Sequence, residues 1–251
     1  MKALYGISVI FVLFVACGVS SKKIPSFVHR CYRNDPHLSE CFIKVVNELR
    51  PRLAKGIPEL NLSPIDPMVI PKISVTNYTG ASLGVDAEFT NMTFYGGKDF
   101  VIKNHSQDFD AGECHTVIYI PKINMVTNYR IKGKILILDI DSSGKAEATF
   151  SDLVITAKLK MKKYQKNEKE HLKFEKDIFD IDIGKAIIHL NNIFPNNPEI
   201  SENTNLVINE NMDLLMQDIK PIALKTARDI LLNLLNRVYE TFSFDELWPL
   251  E

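Results

Sequence analysis

MDLLMQDIKPIALKTARDILLNLLNRVYETF, residues 212–242, is the stretch on which the fold turns. Apolar side chains recur at Met212, Leu215, Met216, Ile219, Ala223, Ala227, Ile230, Leu231, Leu234, Val238 and Phe242. That is the i, i+3, i+4, i+7 spacing of one helix face. Ile222, Leu224, Leu232, Leu235 and Tyr239 widen the stripe past half the circumference. At about 1.5 Å per residue such a helix runs roughly 45 Å. A helix so long and so apolar needs other structure around it. Pro221 lies inside the pattern and predicts a kink near Ile219–Lys220. Two readings fit: a long core helix, or a rod wrapped by a sheet that leaves an apolar lumen.

The chain before it changes period. From about Ile70 to about Ile193 apolar residues alternate. Ile155, Ala157, Leu159 and Met161 alternate with Thr156, Lys158, Lys160 and Lys162, and Phe179, Ile181 and Ile183 with Asp180 and Asp182. Phe89–Tyr95, Val117–Ile123 and Ile131–Ile140 read as further strands, with Asp141-Ser142-Ser143-Gly144 as a hairpin turn. Such strands form an antiparallel sheet with one wet and one apolar face. The lysine-rich run 160–170 reads as a solvated hairpin end, and 194–205 as a polar linker. Upstream, Phe42, Val45, Val46, Leu49 and Leu53 make one face of a first helix, N-capped by Ser39 and stopped at Gly56. Helix, meander of strands, long helix: the order predicts an α+β fold.

Composition sets the class. The 251 residues are 45% hydrophobic and 24% charged, enough for a sizeable core. A formal net charge of −1 gives no footprint for nucleic acid. Lys2, the apolar run Leu4–Val15 and the small residues Ala16, Gly18 and Ser20 read as a signal peptide over 1–20, leaving one domain over 21–251. Phe14-Val15-Ala16-Cys17 also loosely fits a lipoprotein cleavage site. No later stretch is long and apolar enough to span a bilayer. Beyond the signal, Cys31 and Cys41 are close enough to bridge in an oxidising compartment, and Cys114 is left over as a buried thiol. Asn77-Tyr78-Thr79, Asn91-Met92-Thr93 and Asn104-His105-Ser106 are glycosylation acceptors; Pro64 weakens the one at Asn61.

Catalytic and cofactor motifs are not found in the sequence. It holds no G-x-S-x-G elbow, phosphate-binding loop, H-E-x-x-H or C-x-x-C. Asp139, Asp141, Ser143 and Gly144 open like a calcium loop, but Phe150 stands where the bidentate Glu belongs. The six histidines have no metal spacing, and His115 beside Cys114 points to the opposite face of a strand. The expectation is a non-enzyme with no cofactor and no metal.

Cys31-(x9)-Cys41, then Leu49-Arg50-Pro51, Lys55-Gly56-Ile57-Pro58-Glu59-Leu60 and Ile65-Asp66-Pro67, together resemble the opening of the insect juvenile hormone binding protein and takeout family. Tyr129 to Ile135 and Phe244-Asp245-Glu246-Leu247-Trp248-Pro249 extend the resemblance across the mature chain. It implies a long C-terminal helix wrapped by a strongly curved antiparallel sheet, an elongated shape and an apolar tunnel. It also implies secretion and carriage of a terpenoid or other lipid, with ties to circadian output and feeding. The hormone carriers have a second disulfide in their later half. This chain has no cysteine after Cys114, which favours the takeout or daywake-like branch.

Candidate tunnel lining, read from helix periodicity, is Phe42, Val46, Leu49 and Leu53 with Leu215, Ile219, Ile222, Ile230 and Leu234. Met68 and Met216 join them as adaptable side chains, although such residues also fill ordinary cores. The competing reading is a secreted interaction protein with a filled core that binds a receptor or partner.

Overall fold

The computed structural model describes residues 23–250, so the predicted signal peptide lies outside the described residues. Helix α1 (Leu38–Lys55) precedes six strands: β1 (Met68–Thr79), β2 (Leu83–Tyr95), β3 (Val101–Asp108), β4 (Glu113–Ile135), β5 (Leu138–Lys166) and β6 (Lys169–Leu190). Helices α2 (Pro198–Glu210), α3 (Met212–Thr241) and α4 (Phe244–Leu247) close the chain. The α+β order predicted from the period change is the order observed.

All strands pair antiparallel in the order β1-β2-β4-β5-β6, and β3 continues the β2 side along the first half of β4. One sheet end is the β1–β2 hairpin and the other is β6. Both touch α3: Asp218 of α3 accepts from the turn between β1 and β2, and Asn236 of α3 bonds the backbone of β6. A single helix can meet both ends only if the sheet curls about it.

Four local expectations are corrected. The turn between β4 and β5 is Leu136-Ile137, with Leu136 at φ 55, and Asp141–Gly144 lies inside β5. Gly144 is there because a Cβ would collide with the Asn191 carbonyl. The stretch 194–205 is not a linker: Pro198 opens α2, capped by the Asn197 side chain. Its buried face carries Ser201, Thr204 and Asn205, and this polarity hid it. The lysine-rich hairpin narrows to a two-residue turn, Asn167-Glu168, and its arms bury Met161, Leu172 and Phe174 against the end of α3. His37, with no side-chain cap, precedes α1 in place of Ser39.

The apolar interior is divided into three clusters. One joins Val85, Tyr129, Ile131, Ile140, Leu190 and Leu215 at the α2 end. The other two lie at the α1 end: Leu159, Phe174, Tyr239 and Trp248 in one, and Leu49, Ile57, Leu60 and Phe242 in the other.

Candidate functional site

Helix α3 carries a solvent stripe, Pro221, Lys225, Asp229, Asn233 and Arg237, all exposed and spaced by four. On the face turned from it stand Ala223, Ala227, Ile230 and Leu234. In an ordinary core helix that face would be fully buried. Here Ile219 to Val238 has no buried residue at all; every apolar side chain in it is half-buried. Ile222, Ala223, Ala227 and Ile230 fall between the clusters of the two ends. The inward face is large at its ends, small at Ala223 and Ala227, and accessible in the middle.

The sheet carries a half-buried apolar row of its own. Ile120, Leu153 and Ile183 lie side by side across β4, β5 and β6, all half-buried and in phase with buried Ile181. Beyond them β5 shifts its inward register: Ala157 and Ala148 are both buried though of opposite parity, and Asp152 at φ 55 stands between. Tyr119 donates to the Asp152 carboxylate at 2.7 Å, fixing that break.

The end near α1 is a plug. The Cys31–Cys41 disulfide predicted from sequence is formed, and it ties the segment before α1 to the helix. Arg33 donates to the Trp248 carbonyl and stacks on Phe244, binding the C-terminal tail to that segment. Phe42 stacks on His105 with ring centroids 3.9 Å apart, and Trp248 donates to the Tyr239 hydroxyl. His105 is buried, bonded through Nδ1 to Thr116, and burial pulls its pKa down to about 4. Burial pushes the Cys114 thiol up, so it is a packed thiol rather than a nucleophile.

The sequence-predicted lining therefore divides. Leu215, Met216 and Ile219 belong to the core at the α2 end. Phe42, Leu49, Leu53 and Leu234 pack in the plug, with Val46 half-buried on α1. Met68 opens β1, opposite Phe94. Ile222 and Ile230 stand in the middle. Periodicity did not single out Ala223 and Ala227, the small residues halfway along this apolar face. The row Ile120, Leu153 and Ile183 was not singled out either, because the register break in β5 hides which residues share a face. Among the described residues no group of three or more His, Cys, Asp or Glu could hold a metal ion. A shallow depression over Glu40, Ile43 and Lys44 lies on the outer face of α1, away from the interior.

Comparison with known proteins agrees with this geometry. Residues 9–249 match the family model described as haemolymph juvenile hormone binding protein. The circadian clock-controlled protein daywake of Drosophila yakuba is 20% identical over 241 residues, covering 92% of this chain and 91% of the relative. The crystal structure of Takeout 1 from Epiphyas postvittana superposes with a TM-score of 0.74 at 19% identity, covering 88% of this chain and 99% of that one. At that identity the likeness speaks to the fold: a curled antiparallel sheet around a long C-terminal helix. The family match spans nearly the whole sequence, and the chain belongs to the haemolymph juvenile hormone binding protein family.

Proposed function

We propose that the protein is a secreted carrier, not an enzyme, that holds a small hydrophobic ligand between the middle of α3 and the row Ile120, Leu153 and Ile183. The observation that carries this reading is the half-buried inward face of α3 between two well-packed ends. Burying roughly 300 Å² of apolar ligand surface there contributes on the order of 7 kcal/mol before the costs of association. The lining has few polar groups, so it selects by shape more than by hydrogen bonds. Ile222 and Ile230 line this chamber. Leu215, Met216, Leu49, Leu53 and Phe42 close its ends.

Secretion draws support from the disulfide and the family. Asn77, Asn91 and Asn104 are exposed beside register shifts in β1, β2 and β3, as glycan acceptors need to be. A circadian setting rests on the likeness to daywake alone, and sampling the secreted protein through a day–night cycle tests it.

Native mass spectrometry of protein secreted by insect cells should show an intact mass above the denatured, deglycosylated mass by one lipid. Equal masses across several preparations overturn the carrier reading. The alternative, an interaction protein with a filled interior, draws on the exposed Ile200, Leu206, Val207 and Leu214 of α2 and early α3. Saturable displacement of a neutral fluorescent probe by lipid separates the two, since a filled interior gives none.

A further inference from the structure

β6 is an edge strand, and two helices bond its backbone through asparagine side chains. Asn236 of α3 accepts from Phe174 N at 2.7 Å and donates to Phe174 O at 3.0 Å. Asn209 of α2 does the same to Ile188, at 2.9 and 2.7 Å. Asn205 repeats the pattern on Leu190. Each amide mimics a neighbouring strand. Between Phe174 and Ile188 the arrangement changes. Among the described residues, the polar tie between α3 and β6 in that stretch is Lys220 Nζ to Asp180 Oδ1, at 3.1 Å. Both side chains are well exposed, 39% and 54%, and an ion pair of that exposure exchanges readily with other partners. Pro221, the next residue, has no N–H to give the Gln217 carbonyl, so the helix is also weakest in its own bonding there.

This stretch, whose polar tie is one ion pair, is the part of α3 whose inward face borders the proposed chamber. Its cations differ. Lys225 belongs to the solvent stripe. Arg228 is held by the neighbouring Asp229 through both Nε and a terminal nitrogen. Lys220 follows Ile219 directly and stands one turn before Ala223, with an exposed carboxylate as its partner. An apolar space with an exchangeable ammonium at its rim suits an amphipathic anion.

We infer that the seam between α3 and β6 is the mouth of the chamber, and that Lys220 binds the carboxylate of a long-chain acid in competition with Asp180. This rests on the carrier reading. The chain of the ligand lies along Ala223 and Ala227, and its head stays at the seam, so only the chain is fully desolvated.

The test is displacement of N-phenylnaphthylamine from the full mature chain by palmitic acid and by methyl palmitate. The wild type should prefer the acid by about tenfold, the scale of one charge-assisted hydrogen bond. Lys220→Gln should bring acid and ester together by weakening the acid. Asp180→Asn removes the competing anion and should tighten the acid alone. Circular dichroism and the thermal midpoint check that both variants fold as the wild type does. If the wild type binds both lipids equally, or Lys220→Gln keeps the preference, this assignment is overturned. If neither lipid binds, the carrier reading itself falls.

Discussion

Asp218 shows how much one side chain can hold. It lies about two turns into an apolar helix, is 6% exposed, and its carboxylate accepts from Ala81 N, Ser82 N and Leu83 N at 3.2, 2.7 and 3.0 Å. Tyr78 donates to its backbone carbonyl. Gly80 sits at that turn because a Cβ would collide with the carboxylate. Asp218→Ala strands three backbone donors and should cost about 2–4 kcal/mol, read as a lower urea midpoint at unchanged slope. A loss under about 0.5 kcal/mol would show the turn to be held by something else. His105 gives the fold a pH dependence. Burial lowers its pKa most, and His115 adds to the effect. The folded-state pKa, about 4, lies below the unfolded value near 6.5. The unfolded chain thus binds the extra proton first as pH falls. Stability should drop by about 3 kcal/mol between pH 6.5 and pH 4, and His105→Leu should flatten that part of the curve. Neither role was legible in sequence, because an acid in a helix and a histidine in a strand become informative only once their neighbours are known.

At the level of elements, the sheet is managed by its two flanking helices. A strand as long as β6 with an open edge invites pairing with another chain. Asn205, Asn209 and Asn236 cover its two ends with amide groups, and α3 runs beside the middle. Asn236→Ala leaves the Phe174 backbone without its partner and should cost about 1–2 kcal/mol. Amide exchange at Phe174 should rise with it, while that at Ile188 stays as it was. Uniform acceleration across β6 would refute local clamping. The long helix was legible because its 3.6 period is unbroken over 30 residues. The strands were legible as strands, but not their limits. Leu136-Ile137 makes a turn without glycine, asparagine or aspartate, while the turn-like Asp141–Gly144 is held in β5 by its partners Ile131 and Arg130 on β4. Tertiary pairing overrode local turn preference there. α2 was missed because its inward side is polar, matched to a strand edge rather than to an apolar core.

Over the whole molecule, the decisive feature is that the packed regions lie at the ends and the middle of α3 remains accessible. A filled molecule of this composition would bury its most apolar helix along its length. Ala227→Phe places a large ring in the middle of the inward face. It should leave thermal stability within about 1 kcal/mol of wild type, because the ring enters space rather than displacing neighbours. Lipid binding should fall at least about tenfold, measured by probe displacement. A strongly destabilised Ala227→Phe would mean that the middle is closely packed, and the chamber would be lost as an idea.

The sequence by itself determined the α+β order, the long terminal helix, the alternation that makes a sheet, the bridge between Cys31 and Cys41 and the family. These are properties of local period, of short chain separation and of motifs read in order. What only the tertiary structure decided is which side chains share a space. Ile222 and Ile230 carry the same periodic mark as Leu215 and Leu234, yet the first pair stands between the cores and the second within them. Helical period fixes the direction in which a side chain points. How far away the opposite wall lies depends on the curl of the sheet, and that curl is set by contacts such as Asp218 with the β1–β2 turn and Asn236 with β6, made across 136 and 62 residues of chain.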